Sequence, residues 1–437
     1  MPRVYIETYG CQMNVSDSEL MFGVLGREGY VRTDDPALAD VLLVNTCAVR
    51  DHAEQKVFSR LGELKQYKSP GDVLGVVGCM AQRLGARLLE RVPQVDLVIG
   101  PDGYRGLPEL IVRARAGERA AEVELKSWEH YEDVPPVRGT PVSAFVTVQR
   151  GCDYRCTFCI VPMTRGPERS RKLDDVVREV ERLTTGGTTE VTLLGQTVNS
   201  YSDGEHDFAD LLRAVGRVPG LARLRFTSPY PTDFSDRVLR AMAETPAVCE
   251  HVHLPVQSGS SRVLKRMLRR YDRARYLGVV AALRHALPGI ALTTDIIVGF
   301  PGETEDDFAE TISLVEQVGF DDAFTFKYSP REGTPATRIP GAVPDEVAGE
   351  RLERLIATVR GVARHKNVGL VGTTHELLIE GKAKRGDLLQ GRTRGNKVAL
   401  VEGPEAWIGT YARVRFTGTT GSTFSARVVG QELAVVG

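Results

Sequence analysis

Strand-like runs alternate with helical patterns over most of this 437-residue sequence, and the alternation is its strongest constraint on the fold. In the first segment the short β-rich runs are RVYIETYG, DVLLVNT, DVLGVVG and VDLVIG, separated by helical stretches such as DSELMFGVLGREGY and MAQRLGARLLERV. Strands that alternate with helices form βαβ units with a parallel sheet. The pattern predicts an α/β fold class and, at residues 1–128, an N-terminal domain with an open parallel sheet.

The middle of the chain continues the pattern with six more strand-like runs. They are SAFVTVQR, EVTLLG, RLRFTS, HVHLPV, ALTTDIIVGF and DAFTFKYS. Six βα units predict a partial (β/α)6 barrel at residues 138–368, with function gathered at the carboxyl ends of the strands. The last segment, 369–437, holds only short strands between Gly-rich turns, which predicts a small all-β barrel or sandwich.

Composition and charge indicate the cellular compartment of the protein. The formal net charge is −1, and 42% of the residues are hydrophobic, as in soluble globular chains. No apolar run approaches the ~18 residues of a membrane helix, and the N-terminus MPRVYIETYGC lacks the apolar core of a signal peptide. We expect a cytoplasmic protein with reduced thiols, in which clustered cysteines indicate metal binding rather than disulfides.

Three of the seven cysteines crowd into one loop, GCDYRCTFC, directly after the first strand of the middle segment. Cys152, Cys156 and Cys159 have the spacing C-x3-C-x2-C. A [4Fe-4S] cube takes four ligands, usually thiolates, so three cysteines leave one iron open for a substrate or cofactor. A structural zinc site would use four protein ligands with paired spacings, and the loop has no such second pair.

Cys11, Cys47 and Cys79 are far apart in the sequence but share a position. Each follows a predicted strand at once, in VYIETYGC, VLLVNTC and VLGVVGC. Because the carboxyl ends of parallel strands converge on one crevice, we expect these thiols to meet there and to form a second three-cysteine cluster site. We interpret the seventh cysteine, Cys249, as a small buried hydrophobe.

Basic stretches stand out in this nearly neutral chain. Basic residues around the mouth of the predicted site would suit the phosphate backbone of a nucleic acid. Two of the basic stretches follow strands of the middle segment, and the terminal segment has nine Lys and Arg against six Asp and Glu. The candidate RNA-binding residues are Arg165, Arg169, Arg171, Lys265, Arg269, Arg270, Lys384, Arg392, Arg394 and Lys397.

The loop CDYRCTFC resembles that of the radical S-adenosylmethionine (SAM) superfamily. With the second cysteine trio and the terminal β segment, the chain resembles the radical SAM methylthiotransferase family over nearly its whole length, from ETYGCQMNVSDSE through TRGPERSR and LLGQTVNSY to GRTRGNKV. GCQMN favours the tRNA-modifying branch, because the branch acting on a ribosomal protein typically has Pro-Lys in place of Gln12 and Met13. The terminal segment resembles the RNA-binding TRAM domain.

The resemblance implies the cofactors and the reaction. Two [4Fe-4S] clusters and SAM would transfer a methylthio group to carbon 2 of N6-isopentenyladenosine at nucleotide 37, in the anticodon stem-loop of tRNA. The cluster of Cys152, Cys156 and Cys159 would reduce SAM to the adenosyl radical, and that of Cys11, Cys47 and Cys79 would carry the sulfur. Candidate SAM contacts at the strand ends are Gln196, Asn199, Ser228, Gln257, Asp295 and Gly299. A flavodoxin- or ferredoxin-type electron donor and a monomeric state are also expected.

Other functions stay open at this point. One alternative is a methylthiotransferase for threonylcarbamoyl-adenosine in tRNA or for a ribosomal protein. Another is an iron–sulfur RNA-binding regulator without catalysis, which would bind RNA but would not turn over SAM. A plain electron carrier fits poorly, because it needs neither a barrel nor basic loops.

Overall fold

The structure, a computed structural model, describes residues 1–48, 51–384 and 386–430, with side chains except those of 51–55. The N-terminal part is a parallel six-stranded sheet in the order β2-β1-β3-β4-β5-β6. Its strands are β1 Arg3–Tyr9, β2 Val31–Arg32, β3 Val41–Thr46, β4 Val73–Gly78, β5 Leu97–Ile99 and β6 Ala120–Glu122. Its helices are α1 Gln12–Arg27, α2 Asp51–Leu64, α3 Cys79–Leu84, α4 Ala86–Arg91 and α5 Leu107–Arg115.

The central strands of this sheet are fully buried, since helices cover both faces. Every residue of β3 and β4 is buried, as expected for parallel strands that read as continuous apolar runs. The four predicted strands are present, and the two short edge strands β2 and β6 were not predicted. The predicted helix MAQRLGARLLERV is two helices, because Gly85 adopts a positive φ of 54° between them.

The middle part is a curved parallel array of six strands, as predicted. They are β7 Ser143–Thr147, β10 Glu190–Leu194, β11 Arg223–Phe226, β12 His251–His253, β13 Ala291–Val298 and β14 Asp322–Lys327. Two three-stranded sheets, β11-β10-β7 and β12-β13-β14, are joined by a parallel bridge between Leu224 and Val248. A small antiparallel pair, β8 Gln149–Arg150 and β9 Arg169–Ser170, brackets the loop that carries Cys152, Cys156 and Cys159.

Most helices of this part cover the outside of the array, and the first, Val161–Arg165, packs against α3 of the N-terminal part. The helices are α6 Val161–Arg165, α7 Leu173–Thr185, α8 Phe208–Gly216, α9 Asp236–Glu244, α10 Ser261–Arg266, α11 Arg273–Ala286, α12 Glu305–Val318 and α13 Asp345–Gly369. Along β13, Leu292, Thr294, Ile296 and Val298 are buried, and Thr293, Asp295 and Ile297 between them are half-buried. The alternation separates an outer face packed on helices from an inner face that is accessible from the barrel interior.

The terminal part is a closed five-stranded barrel in the order β15-β16-β17-β19-β18. Its strands are β15 Thr374–Lys382, β16 Leu389–Thr393, β17 Val398–Val401, β18 Tyr411–Thr419 and β19 Thr423–Gly430. Sequence patterns had predicted four of them and missed β16. The end of the last predicted strand and residues 431–437 of the predicted third domain lie outside the described residues.

The α/β fold class with three parts is therefore confirmed, whereas the boundaries 1–128, 138–368 and 369–437 stay predictions. Among the described helices, none combines the length and apolarity that a membrane crossing requires.

Two arginines of β11 fasten the terminal barrel to the six-stranded array. Arg223 is fully buried; its Nη2 donates to Glu376 Oε1 at 2.8 Å and its Nη1 to the Arg392 carbonyl at 2.8 Å. Arg225 donates to the carbonyls of Thr393 and Arg394, each at 2.8 Å. Hydrogen bonds from these two arginines to backbone carbonyls of the terminal barrel thus hold it in one orientation.

We expect Arg223→Ala to lower the free energy of unfolding by about 3 kcal/mol, because it removes a fully buried guanidinium that also lies 3.6 Å from the buried Glu190 carboxylate. Urea unfolding measures the change, and hydrogen exchange on β15 and β16 localises it. The exposed Arg240→Ala on α9 is the matched control and should stay within about 0.5 kcal/mol of wild type. Equal stability of the two variants would contradict the docking role of Arg223.

Candidate functional site

The first cysteine trio lies at the carboxyl ends of three adjacent strands. The sheet register pairs Tyr9 with Thr46 and Thr46 with Gly78. Cys47 and Cys79 come one residue after their paired positions, and Cys11 comes two residues after Tyr9. Neighbouring strands lie about 4.8 Å apart, so the register brings the three cysteines to one edge of the sheet, as the sequence predicted.

Hydrogen bonds tie the three cysteine-bearing turns together. Asn14 Nδ2 donates to Asn45 Oδ1 at 3.1 Å and to the Thr46 carbonyl at 3.3 Å. Thr46 Oγ1 donates to the Val77 carbonyl at 2.9 Å. At Gly78, φ is 91° and a Cβ would lie 2.4 Å from Asn45 Oδ1, so only glycine fits before Cys79.

The second trio lies on the loop after β7 and β8. Cys152 N donates to the Gly166 carbonyl at 3.1 Å, and Cys159 N donates to the Cys156 carbonyl at 3.0 Å. Thr157 anchors the middle of the loop to the end of α10, with Thr157 N donating to the Met267 carbonyl at 3.0 Å. Gly151 has φ 75°, and a Cβ there would lie 1.9 Å from the Pro167 carbonyl. The loop is therefore fixed on both sides before any ligand binds.

The segments that carry the two trios meet at the junction between the sheet and the six-stranded array. Ile160, next to Cys159, packs in one apolar cluster with Cys79 and Ala48. Ser16 of α1 and Thr147 of β7 form a hydrogen bond of 2.9 Å across the same junction. Within the described residues, no three His, Cys, Asp or Glu side chains are grouped closely enough for a single metal ion.

The donor set fits [4Fe-4S] clusters. All seven cysteines lie in the described residues as thiols outside disulfides, and each thiolate of a cube binds a different iron. Burial raises the pKa of Cys152 to about 11 and that of Cys159 to about 12, and it also raises the pKa of Cys79. Buried thiols of this kind become thiolates when a cationic partner compensates the charge, and iron would supply that compensation.

Four of the candidate SAM contacts have features that suit a ligand: Gln196, Ser228 and Gln257 follow strands, and Asp295 lies within β13. Gln196 Oε1 is buried without a hydrogen-bond partner in the described protein. Ser228 and Gln257 are non-glycine residues with positive φ, 58° and 73°, a strained conformation that clusters at functional sites. Asp295 faces the barrel interior, with Oδ2 3.3 Å from His253 Nε2.

The other two candidates have structural roles instead. Asn199 Oδ1 accepts from Tyr230 N at 2.7 Å, and its Nδ2 donates to the Tyr230 carbonyl at 2.9 Å, so its amide is occupied within the protein. Gly299 has φ 72°, and a Cβ there would lie 2.6 Å from Ala348 Cβ. It allows a tight turn after β13, and we retain neither residue as a SAM contact.

The expectation that Arg165, Arg169 and Arg171 rim the site mouth for RNA is wrong. All three are buried. Arg165 Nη2 lies 2.6 Å from Asp17 Oδ2, Arg169 pairs with Asp102, and Arg171 Nη1 lies 2.6 Å from Glu179 Oε2. A run of charges in a sequence does not show which members have buried acidic partners, and these three hold the junction and the barrel together.

Three basic residues of the terminal barrel are also committed to internal contacts. Arg394 Nε lies 2.8 Å from Glu250 Oε2, and Lys397 Nζ lies 2.8 Å from Asp321 Oδ1. Both pairs join the terminal barrel to the six-stranded array. Arg392 Nε lies 3.2 Å from Glu380 Oε1 within the terminal barrel. The loop predicted to bind RNA here is instead largely a docking loop, so these three residues are not retained as RNA contacts.

The remaining basic candidates are accessible or line a cavity. Lys265, Arg270 and Lys384 are exposed. Lys265, Arg269 and Arg270 line a cavity of about 590 Å³ together with Arg155. Arg269 is half-buried, and its Nη1 lies 3.3 Å from Cys156 Sγ. The cavity thus combines positive charge with direct proximity to the second trio.

Family models match three parts of the chain: the uncharacterized protein family UPF0004 at residues 3–100, the radical SAM superfamily at 146–315 and the TRAM domain at 369–429. Relatives named tRNA-2-methylthio-N(6)-dimethylallyladenosine synthase match nearly end to end. The relative from Geobacter sulfurreducens is 48% identical, covering 95% of this chain and 94% of its own. That from Alkalilimnicola ehrlichii is 44% identical, covering 98% of each chain.

The chain belongs to the tRNA-2-methylthio-N(6)-dimethylallyladenosine synthase family. It is therefore a radical SAM enzyme, and its cofactors are SAM and two [4Fe-4S] clusters.

Solved structures support the fold. The radical SAM methyltransferase TsrM from Kitasatospora setae, with cobalamin and a [4Fe-4S] cluster bound, has a TM-score of 0.58 at 16% identity, covering 77% of each chain. The cobalamin-dependent enzyme OxsB has a TM-score of 0.53 at 13% identity, covering 82% of this chain and 56% of its own. At these identities the likeness shows the arrangement of the sheet and the barrel alone.

Sequence reasoning missed several residues that build the site. Asn14 braces the first trio, and Asp17 with Arg150 forms a buried pair of 3.1 Å behind it. The available signal was helical spacing, because Asn14 and Asp17 are three residues apart on α1 and both follow Cys11. The pairing of Asp17 with Arg150 and Arg165 joins residues far apart in the sequence, and no sequence pattern indicated it.

Proposed function

We propose that this protein transfers a methylthio group to carbon 2 of N6-isopentenyladenosine at nucleotide 37 of tRNA. The observation that carries the proposal is the meeting of two three-cysteine sites at one junction, with Ile160 beside Cys159 packed against Cys79. A reaction that both activates a C–H bond and delivers sulfur needs two such centres near one substrate. The names of the end-to-end relatives support the same substrate.

We assign the six cysteines to two clusters. Cys152, Cys156 and Cys159 would hold the one that reduces SAM, and Cys11, Cys47 and Cys79 would hold the one that carries sulfur. When bound, the clusters supply one-electron reduction and a sulfur site, chemistry that side chains lack. The chain supplies the fixed loops and the three-ligand sets that leave one iron open.

The strand ends of the barrel would bind SAM. Gln196 Oε1 is a buried acceptor without a partner in the described protein, which suits a cationic amino group. Ser228 and Gln257 hold strained turns at the ends of β11 and β12, where backbone groups can approach a ligand closely. The Asp295 carboxylate on the inner face of β13 is a suitable acceptor for ribose hydroxyls.

The tRNA anticodon stem-loop would approach over the exposed basic residues. Lys265 and Arg270 border the cavity beside the second trio. The exposed Lys384 adds a further positive charge on the TRAM barrel. A target base in a loop is accessible without opening a duplex. We further infer a cytoplasmic monomer that takes electrons from a flavodoxin- or ferredoxin-type donor.

Replacing Lys265, Arg270 or Lys384 by alanine should weaken tRNA binding and lower the slope of log K against log salt by about 1 per lost phosphate contact. Filter binding or fluorescence anisotropy at several salt concentrations measures the slope. Arg240→Ala, an exposed arginine on the outer helix α9, removes the same charge elsewhere and should leave the slope unchanged. Slopes equal to wild type in all three variants would contradict this RNA surface.

The function is tested by anaerobic incubation with SAM, dithionite and tRNA, followed by nucleoside analysis. We expect methylthiolation of tRNA that carries isopentenyladenosine and none of tRNA that lacks the isopentenyl group. Methylthiolation only of threonylcarbamoyl-adenosine, or of a ribosomal protein, would favour those substrates instead. RNA binding without any 5′-deoxyadenosine would leave only a regulatory role.

A further inference from the structure

Each cysteine trio has one arginine in contact with one of its sulfurs. Arg165 Nε lies 3.1 Å from Cys79 Sγ, and Arg269 Nη1 lies 3.3 Å from Cys156 Sγ. Neither arginine belongs to the segment that carries the sulfur it contacts: Arg165 reaches across the domain junction from α6, and Arg269 follows α10. The two contacts are alike in chemistry although the two sites differ in fold.

The charge balance around Arg165 is incomplete without an anion at the first trio. Asp17 is fully buried and is the acidic partner of both Arg165, at 2.6 Å, and Arg150, at 3.1 Å. Two buried guanidinium groups therefore share one carboxylate, and Arg165 Nη1 has no hydrogen-bond partner in the described protein. An uncompensated buried charge costs several kcal/mol, so the site suits a negatively charged ligand beside Cys79.

Arg269 shows the same imbalance at the second trio. Its hydrogen bonds go to Tyr271 Oη at 2.8 Å, the Pro255 carbonyl at 3.2 Å and Cys156 Sγ, and none within the described residues goes to a carboxylate. The guanidinium lies 4.4 Å from the ring centre of Tyr230 and 5.0 Å from that of Tyr271. These rings hold the group in place without neutralising it. The Asp233 carboxylate is near enough to interact electrostatically with Arg269, but no hydrogen bond or ion pair within the described residues joins the two, so Cys156 Sγ is the direct contact that becomes anionic as a cluster ligand.

We propose that Arg165 and Arg269 are positioning residues that each donate to one cluster sulfur and thereby raise the reduction potential of that cluster. Reduction adds negative charge to a cluster, and a nearby cation with a hydrogen bond to sulfur stabilises the reduced form. Because Arg165 comes from the barrel, the potential of the sulfur-carrying cluster depends on the docking of the two domains. This inference rests on the proposed cluster ligation.

The test uses two backgrounds that isolate one cluster each. Replacing Cys152, Cys156 and Cys159 by alanine leaves only the N-terminal cluster, and replacing Cys11, Cys47 and Cys79 leaves only the other. In each background, Arg165→Gln, Arg165→Lys, Arg269→Gln and Arg269→Lys are reconstituted anaerobically. Midpoint potentials are then measured by redox titration with electron paramagnetic resonance, at matched iron content.

We expect Arg165→Gln to lower the midpoint of the N-terminal cluster alone and Arg269→Gln to lower that of the other alone. A tenfold loss in the ratio of reduced to oxidised cluster corresponds to about 59 mV for one electron. The lysine variants keep the charge and should shift less. Each arginine thus serves as the matched control for the other, because a general loss of structure would not move one potential selectively.

Asp17→Asn adds a prediction of opposite sign. Removing the shared carboxylate leaves the positive charge of Arg165 less compensated, so the midpoint potential of the N-terminal cluster should rise. If the Arg165 variants fail to load iron, the midpoint potential of Asp17→Asn tests the role of Arg165 in their place. Loaded clusters with unchanged potentials would overturn the inference alone, whereas a background that binds no iron would overturn the proposed ligation and the inference with it.

Discussion

Cys79→Ala is expected to abolish methylthio transfer and to leave SAM cleavage intact. Cys79 lies at the carboxyl end of β4 beside the turns that carry Cys11 and Cys47, and its sulfur is in contact with Arg165. Loss of one of only three ligands should empty this site, while the loop of Cys152, Cys156 and Cys159 is anchored separately at Gly166 and Met267. We therefore expect 5′-deoxyadenosine to form without a methylthiolated nucleoside.

The measurement is paired quantification of 5′-deoxyadenosine and modified nucleoside from one anaerobic reaction. Cys249→Ala is the matched control, because Cys249 is a buried thiol that belongs to neither trio. It should retain both products. A methylthiolated product from Cys79→Ala at the wild-type level would show that this trio does not deliver sulfur.

Cys156→Ala is expected to remove both products. Its sulfur belongs to the loop at the first strand of the barrel, and SAM reduction precedes any attack on the base. Under the proposed roles, no adenosyl radical would form without that cluster, so the C–H bond at carbon 2 would not be broken. The effect differs in kind from that of Cys79→Ala, where only the second product is lost.

The same paired assay measures this asymmetry. Iron content of Cys156→Ala should fall by about half, to about four per chain, which shows that the N-terminal site is still loaded. If a Cys156→Ala protein that holds only the N-terminal cluster still formed 5′-deoxyadenosine, SAM would be cleaved at the N-terminal cluster, and the proposed role of Cys152, Cys156 and Cys159 would be wrong.

Much of the fold followed from local sequence patterns. The strands DVLLVNT and DVLGVVG are continuous apolar runs, and burial on both faces of a parallel sheet requires that pattern. Position after a strand sufficed to group Cys11, Cys47 and Cys79, because parallel register carries residues at strand ends to one edge. β16 was missed because its segment LQGRT is short and polar, and it becomes a strand only by pairing with β15 and β17.

The charged residues were the least predictable part of the site. Arg165, Arg169 and Arg171 form a basic run in the sequence, yet each is buried against an acid: Arg165 and Arg169 pair with acids of the N-terminal part, and Arg171 pairs with Glu179 eight residues later. Arg394 and Lys397 of the terminal barrel likewise pair with Glu250 and Asp321 of the six-stranded array. A sequence shows the number of charges, whereas burial and pairing depend on contacts between domains that no local pattern specifies.

The proposed reaction depends most on two iron–sulfur clusters, each held by three cysteines at one junction. Iron counting after anaerobic reconstitution tests this directly, on wild type and on the variant with Cys11, Cys47 and Cys79 replaced by alanine. We predict about eight irons per chain in wild type and about four in the variant. A wild type that holds only four irons, or a variant that still holds eight, would contradict it.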